Sequence, residues 1–174
     1  GKRHAFWNRY RVGFDDQGHL LALDAELHGR CGCSADLSAA INDRAMFHTD
    51  NAYHLPAARI HSLRLKTNTV SDTAFRGFGG PQGMLGAELY LDEVARELEL
   101  DPFDVRMRNL YGGPGRDVTP YHMTIEDNVL PELMAELETG AEYRARRTAV
   151  AAYNAESAWV KRGLAITPVK FGIS

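Results

Sequence analysis

The 174-residue sequence predicts an α+β domain, a β-hairpin and a mixed or mostly antiparallel sheet packed by several helices. Three observations lead there. Two runs of alternating apolar residues flank a glycine turn near the N-terminus, the pattern of a hairpin. Segments further along repeat their apolar residues at helical spacing and carry capping signals. The strand and helix patterns do not alternate regularly, as a doubly wound sheet would require. The composition, 44% apolar and 25% charged, is that of an ordinary folded domain. A net charge of −3 without a basic stripe argues against a nucleic-acid partner. No apolar run is long enough to span a bilayer, so no membrane partner is expected.

The elements follow in order. Phe6, Tyr10, Val12 and Phe14 share one parity, and after Asp15-Asp16-Gln17-Gly18 the residues Leu21, Leu23, Ala25 and Leu27 alternate with Asp24 and Glu26. A helix is expected over about Leu37–His48, starting near Ser34 or Asp36. Its apolar stripe of Leu37, Ile41, Arg44 and His48 directs Arg44 toward the core. A strand is expected over about Ala58–Lys66. Pro81 suits a helical first turn, and Met84, Ala87, Leu91, Val94 and Leu98 then form one face. Asp101-Pro102 opens the next helix with a cap and a first-turn proline, Phe103, Met107 and Leu110 form its stripe, and Gly112-Gly113 ends it. Helices are expected over about Leu130–Glu138 and Ala141–Asn154, and a final strand from about Gly163.

Cys31 and Cys33 lie one residue apart, a spacing that strains a disulfide, so a reducing cytoplasmic setting is expected. The start at Gly1 without Met or signal peptide, and the end inside the run Phe171-Gly172-Ile173-Ser174, lead to the expectation that residues 1–174 are one piece of a longer chain. Faces and sheet edges left open in such a piece would make a homo-oligomer possible.

The stretch TAFRGFGGPQGM, Thr73 to Met84, sets two aromatics and an arginine among glycines immediately before a helix. Its glycines read G-x-G-G-x-x-G, which is not the dinucleotide fingerprint, and the residues before it are polar rather than strand-like. No G-K-[ST] follows, so a phosphate-binding P-loop is excluded. Two readings stay open on these residues. One is a loop of unusual backbone angles without a ligand. The other is a site where glycines admit a close ligand, helical N–H groups face it, and Phe78 projects as an apolar wall.

This stretch resembles the cofactor loop of the molybdenum hydroxylases, the family of xanthine dehydrogenases and aldehyde oxidases. The likeness extends to Gly1-Lys-Arg-His4, Arg11-Val-Gly-Phe14, Asp43-Arg-Ala-Met-Phe-His48, Asp50-Asn-Ala-Tyr53, Val105-Arg-Met-Arg-Asn-Leu-Tyr111, Lys161-Arg-Gly163 and Pro168-Val-Lys-Phe-Gly-Ile-Ser174. The resemblance implies part of a molybdopterin-binding region that hydroxylates hypoxanthine and xanthine to urate. Electrons would pass to iron–sulfur clusters, FAD and NAD held on other domains or a partner subunit. It implies that Arg44 faces the purine as a catalytic and substrate-binding residue, that Phe78 packs on the substrate, and that Phe75, Arg76 and Gly77 line the molybdenum–pterin group. No metal ligand is implied in this chain, and the catalytic glutamate and most pterin contacts lie outside it. His48 is expected to be structural. Arg44 with Phe78 favours a purine over an aldehyde substrate. The alternatives are an aldehyde oxidase-type hydroxylase, or an inert scaffold if these residues act alone.

Overall fold

The computed structural model describes residues 1–172. The hairpin forms from β1 (Phe6–Phe14) and β2 (Leu20–Gly32), antiparallel, with Phe6 opposite Gly29 and Val12 opposite Leu23. Its turn is tied by the Asp15 carboxylate, whose Oδ1 accepts the backbone N–H groups of Gln17 and His19, each at 2.9 Å. The predicted parity holds along β1, but β2 departs from it at one point. A register shift between Gly13 and Phe14 turns Leu20 into the core and leaves Leu21 exposed.

Helix α1 (Ser38–Phe47) then carries the chain across to β3 (Ala58–Lys66), which pairs in parallel with β2. The sheet order is β1-β2-β3, so it is mixed, as the sequence pattern allowed. Four helices follow: α2 (Gly80–Glu97), α3 (Pro102–Asn109), α4 (Leu130–Gly140) and α5 (Tyr143–Glu156). Asp101 caps α3 as expected, accepting the Phe103 N–H at 2.8 Å. Neither Ser34 nor Asp36 caps α1 through its side chain. Leu37 occupies that position, and Asp36 bonds to the Leu37 N–H instead.

The core lies between the sheet and the buried face of α2. Leu20, Leu23 and Ala25 meet Ala87, Tyr90, Leu91 and Val94, with Phe103 and Val105 of α3 closing one end. Each fully buried aliphatic or aromatic side chain contributes about 1.5–3 kcal/mol. Beside this core lies a buried ionic network. Arg106, 1% exposed, donates to Glu88 Oε2 and to Asp92 Oδ1, both at 2.7 Å. Glu88 Oε1 in turn accepts from Tyr53 Oη at 2.6 Å and Asn51 Nδ2 at 2.7 Å. Burial disfavours the Arg106 charge, but its acidic partners outweigh that and hold its pKa above the usual value.

Two further expectations are corrected. The buried face of α1 is Ser38, Ile41, Asn42 and Ala45, with Leu37 exposed, so the helix is rotated from the predicted stripe. Arg44 therefore faces away from the core. The residues from Gly163 to Gly172 form no regular element and join no ladder, so the expected final strand is absent among the described residues. Side chains rather than a neighbouring strand satisfy that backbone: Asn51 Nδ2 donates to Pro168 O at 3.0 Å, and Asn51 Oδ1 accepts the Lys170 N–H at 3.2 Å. The part of that expectation covering Ile173 and Ser174 lies outside the described residues.

Candidate functional site

The glycine stretch owes its composition to backbone geometry. Gly77, Phe78 and Gly79 take φ of +88°, +49° and +99°, three successive residues in the left-handed region. Phe78 is a bulky residue there, a costly conformation that persists only where surrounding contacts enforce it. The contact is with α1. A Cβ on Gly79 would lie 2.0 Å from the Ile41 carbonyl oxygen, and one on Gly83 would lie 2.3 Å from that of Ala45. Loop and helix start thus rest backbone-to-backbone on α1, which lifts the Phe78 ring to the side of the helix that bears Arg44.

Arg44 and Phe78 share a cavity of about 660 Å³ between α1, the loop and the C-terminal segment. The Arg44 guanidinium carbon lies 5.9 Å from the Phe78 ring centre and 5.3 Å from that of Phe171. Its Nη1 donates to the Gly172 carbonyl at 3.2 Å. Among the described residues Arg44 makes no ion pair, so donors remain for a ligand. The Phe171 ring sits directly on the start of α2. A Cβ on Gly80 would come within 2.8 Å of it. The same ring tilts against His48, with centroids 5.2 Å apart. His48 Nδ1 donates to the Arg44 carbonyl at 2.8 Å, and burial holds this imidazole below its ordinary pKa, hence neutral.

The far wall carries a second cation, but a compensated one. Lys170 lines the cavity, pairs with Asp50 and donates to Tyr121 Oη at 3.0 Å. Its ammonium lies 5.2 Å and 5.1 Å from the ring centres of Tyr111 and Tyr121. Asp50, 1% exposed, also accepts from Tyr111 Oη at 2.6 Å. Burial pushes the Asp50 carboxyl up while Lys170 and Tyr111 pull it down. Among the described residues the cavity thus presents aromatic walls, a guanidinium without an ion pair and a neutralised lysine. Such a lining suits a flat, electron-poor ring with an electronegative edge.

Phe75, Arg76 and Gly77 do not line this cavity. They form a separate surface with the N-terminal segment that precedes β1. The Arg3 guanidinium stacks 4.5 Å from the Phe75 ring centre, and Arg3 Nη2 donates to Arg76 O at 2.6 Å. Among the described residues, Arg3 Nη1 is buried and without a partner, and so is Gln82 Oε1 in the first turn of α2. Unsatisfied buried polar atoms of this kind call for a polar ligand atom.

Sequence reasoning thus placed Arg44 and Phe78 in one site, but missed Phe171, Lys170, Tyr121 and Gly80. The run from Pro168 to Gly172 carried a strand-like signal that concealed its use as a cavity wall. Only its unusual Lys-Phe-Gly ending hinted otherwise.

The molybdopterin cofactor-binding domain family matches residues 1–110. Over all 174 residues the chain is 44% identical to a xanthine dehydrogenase of Emericella nidulans and 42% identical over 175 aligned positions to a nicotinate hydroxylase of the same fungus. The chain spans only 13% of the length of each. Its fold superposes on an aldehyde oxidoreductase from Desulfovibrio gigas with a TM-score of 0.79 at 28% identity, covering 91% of this chain and 17% of that one. With the domain match extending over more than half of its residues, the chain belongs to the molybdopterin cofactor-binding domain family.

Proposed function

We propose that this chain supplies one side of the substrate pocket in a molybdenum hydroxylase that oxidises purines, taking hypoxanthine and xanthine to urate. The observation that carries the reading is the Arg44 guanidinium, without an ion pair among the described residues, held beside the Phe78 and Phe171 rings in one cavity. A purine fits between such rings through its faces and meets the guanidinium at its oxygen- or nitrogen-bearing edge. As the ring carbon is attacked, negative charge builds on that edge. Arg44 stabilises it in a partly desolvated cavity, where a fixed donor is worth more than in water. The rings exclude water and hold the plane of the substrate. His48, neutral and donating to the Arg44 carbonyl, holds the end of α1 on which Arg44 stands.

The molybdenum–pterin group, when bound, supplies the oxidative hydroxylation. The backbone of Phe75, Arg76 and Gly77, with Arg3 Nη1 and Gln82 Oε1 beside it, is the surface of this chain that would face it. Electrons would leave through iron–sulfur clusters and FAD to NAD, on other domains or a partner subunit. The reading places the enzyme in the cytoplasm, in purine breakdown.

The test is Arg44→Met in the molybdenum enzyme that carries this chain. Loss of one donor to developing charge costs about 10²–10³ in rate. Purine turnover should fall by that factor, and a small aldehyde, which builds its charge elsewhere, should lose much less. Equal losses on both substrates would overturn the assignment.

A further inference from the structure

The wall of the cavity that carries Phe171 has no sheet to hold it, yet it is fixed to the rest of the fold at several points. The fixing groups lie in two adjacent residues, Asp50 and Asn51, in the connection between α1 and β3. Asn51 has φ of +44° and is 1% exposed. Its amide bonds both to Pro168 O and to the Lys170 N–H, three residues and one residue before Phe171, and also to Glu88 Oε1 on α2. Asp50 pairs with the Lys170 ammonium, which the rings of Tyr111 and Tyr121 and the Tyr121 hydroxyl enclose. One residue further, the ring of Phe171 rests on Gly80 and His48, and Gly172 O receives Arg44.

From this we infer that Asp50 and Asn51 are positioning residues that fasten the Pro168–Gly172 segment and so set the spacing between the Phe171 wall and Arg44. The inference rests on the reading of this cavity as the substrate pocket. Neither residue lines the cavity. They act through Lys170 and the segment backbone. Three polar links to buried partners restrict the segment to one conformation, whereas an unpaired extended segment at a chain surface opens freely. A pocket for a planar ring needs this, because a wall displaced by about 1 Å loses the reactive geometry.

The experiment uses two variants in the complete enzyme. Asn51→Gly removes the side-chain links without straining a backbone already at positive φ. Asp50→Asn removes the charge opposite Lys170 while keeping an acceptor for Tyr111. Hydrogen exchange read by mass spectrometry should show the amides of residues 166–172 exchanging at least about tenfold faster in each variant, with core amides of α2 unchanged. KM for xanthine should rise about fivefold in each, with kcat within about twofold. Unchanged exchange at 166–172 overturns the inference, as does faster exchange with an unchanged KM. Should Asn51→Gly fail to fold, Asp50→Asn decides by the same two readouts. Arg44→Met, run alongside, separates the two readings. If it leaves purine kinetics untouched, the pocket assignment fails, and the exchange data still judge the fastening by itself.

Discussion

Gly80→Ala adds one methyl group at the place where the cavity wall meets α2, and its effect follows from the distances. The new Cβ would lie 2.8 Å from Phe171 Cε2, 3.3 Å from Phe171 Cδ2 and 3.6 Å from His48 Cδ2. Carbon atoms at rest stand about 3.5–4.0 Å apart, so the ring must retreat by about 1 Å. Gly80 is helical with negative φ, so alanine meets no backbone penalty and gains about 0.4–1 kcal/mol by restricting the unfolded chain. Phe171 is 45% exposed and yields more cheaply than a core residue, which keeps the overpacking cost near the low end of about 1–3 kcal/mol. Stability should therefore change by less than about 1 kcal/mol. The site should suffer more, because the displaced ring is the one that faces Arg44 at 5.3 Å. The expected result is a KM for xanthine raised about tenfold with a melting temperature within about 3 °C of wild type. Unchanged kinetics would refute the placement of Phe171 in the substrate pocket. A collapse in stability would refute the claim that this ring moves easily.

Two further outcomes are expected. Phe78→Ala should raise the KM for a planar substrate about three- to tenfold while molybdenum content stays the same, since one aromatic contact contributes roughly 0.5–1.5 kcal/mol beyond area burial; loss of metal with an unchanged KM would make Phe78 a cofactor or structural residue. Arg106→Met should lower stability by about 3–5 kcal/mol in denaturant unfolding, because Glu88 loses the cation that compensates it; a loss below about 1 kcal/mol would show that Tyr53 and Asn51 satisfy Glu88 unaided.

Local signals made the scaffold legible. The hairpin has a two-residue period and a glycine turn, and Asp101-Pro102 marks the start of α3 through its own cap and fixed φ. These features depend on neighbours in sequence. Leu21 was misplaced because a register shift is a property of the strand pair, not of one strand. The stripe on α1 misled for a related reason. Ala45 is buried where Gly79 and Gly83 bring the start of α2 against the α1 backbone, while Asn42 is buried against Gly29 and Ser62 of the sheet and Ser38 against His4. Arg44 lines the cavity rather than the core, so the argument that placed it on an apolar stripe does not hold. The Phe171 wall was illegible because its backbone partners are side-chain atoms of Asn51, well over a hundred residues away. No periodicity records such a contact. Phe75, Arg76 and Gly77 fall on a different face from Phe78, because successive left-handed residues turn the chain between them.

The most direct test of the account is a crystal structure of the molybdenum enzyme with xanthine bound. The account predicts the purine plane between the Phe78 and Phe171 rings, with the Arg44 guanidinium donating to an edge oxygen or nitrogen and Lys170 still paired to Asp50. A purine bound outside this cavity, or one that leaves Arg44 on Gly172 O alone, would contradict it.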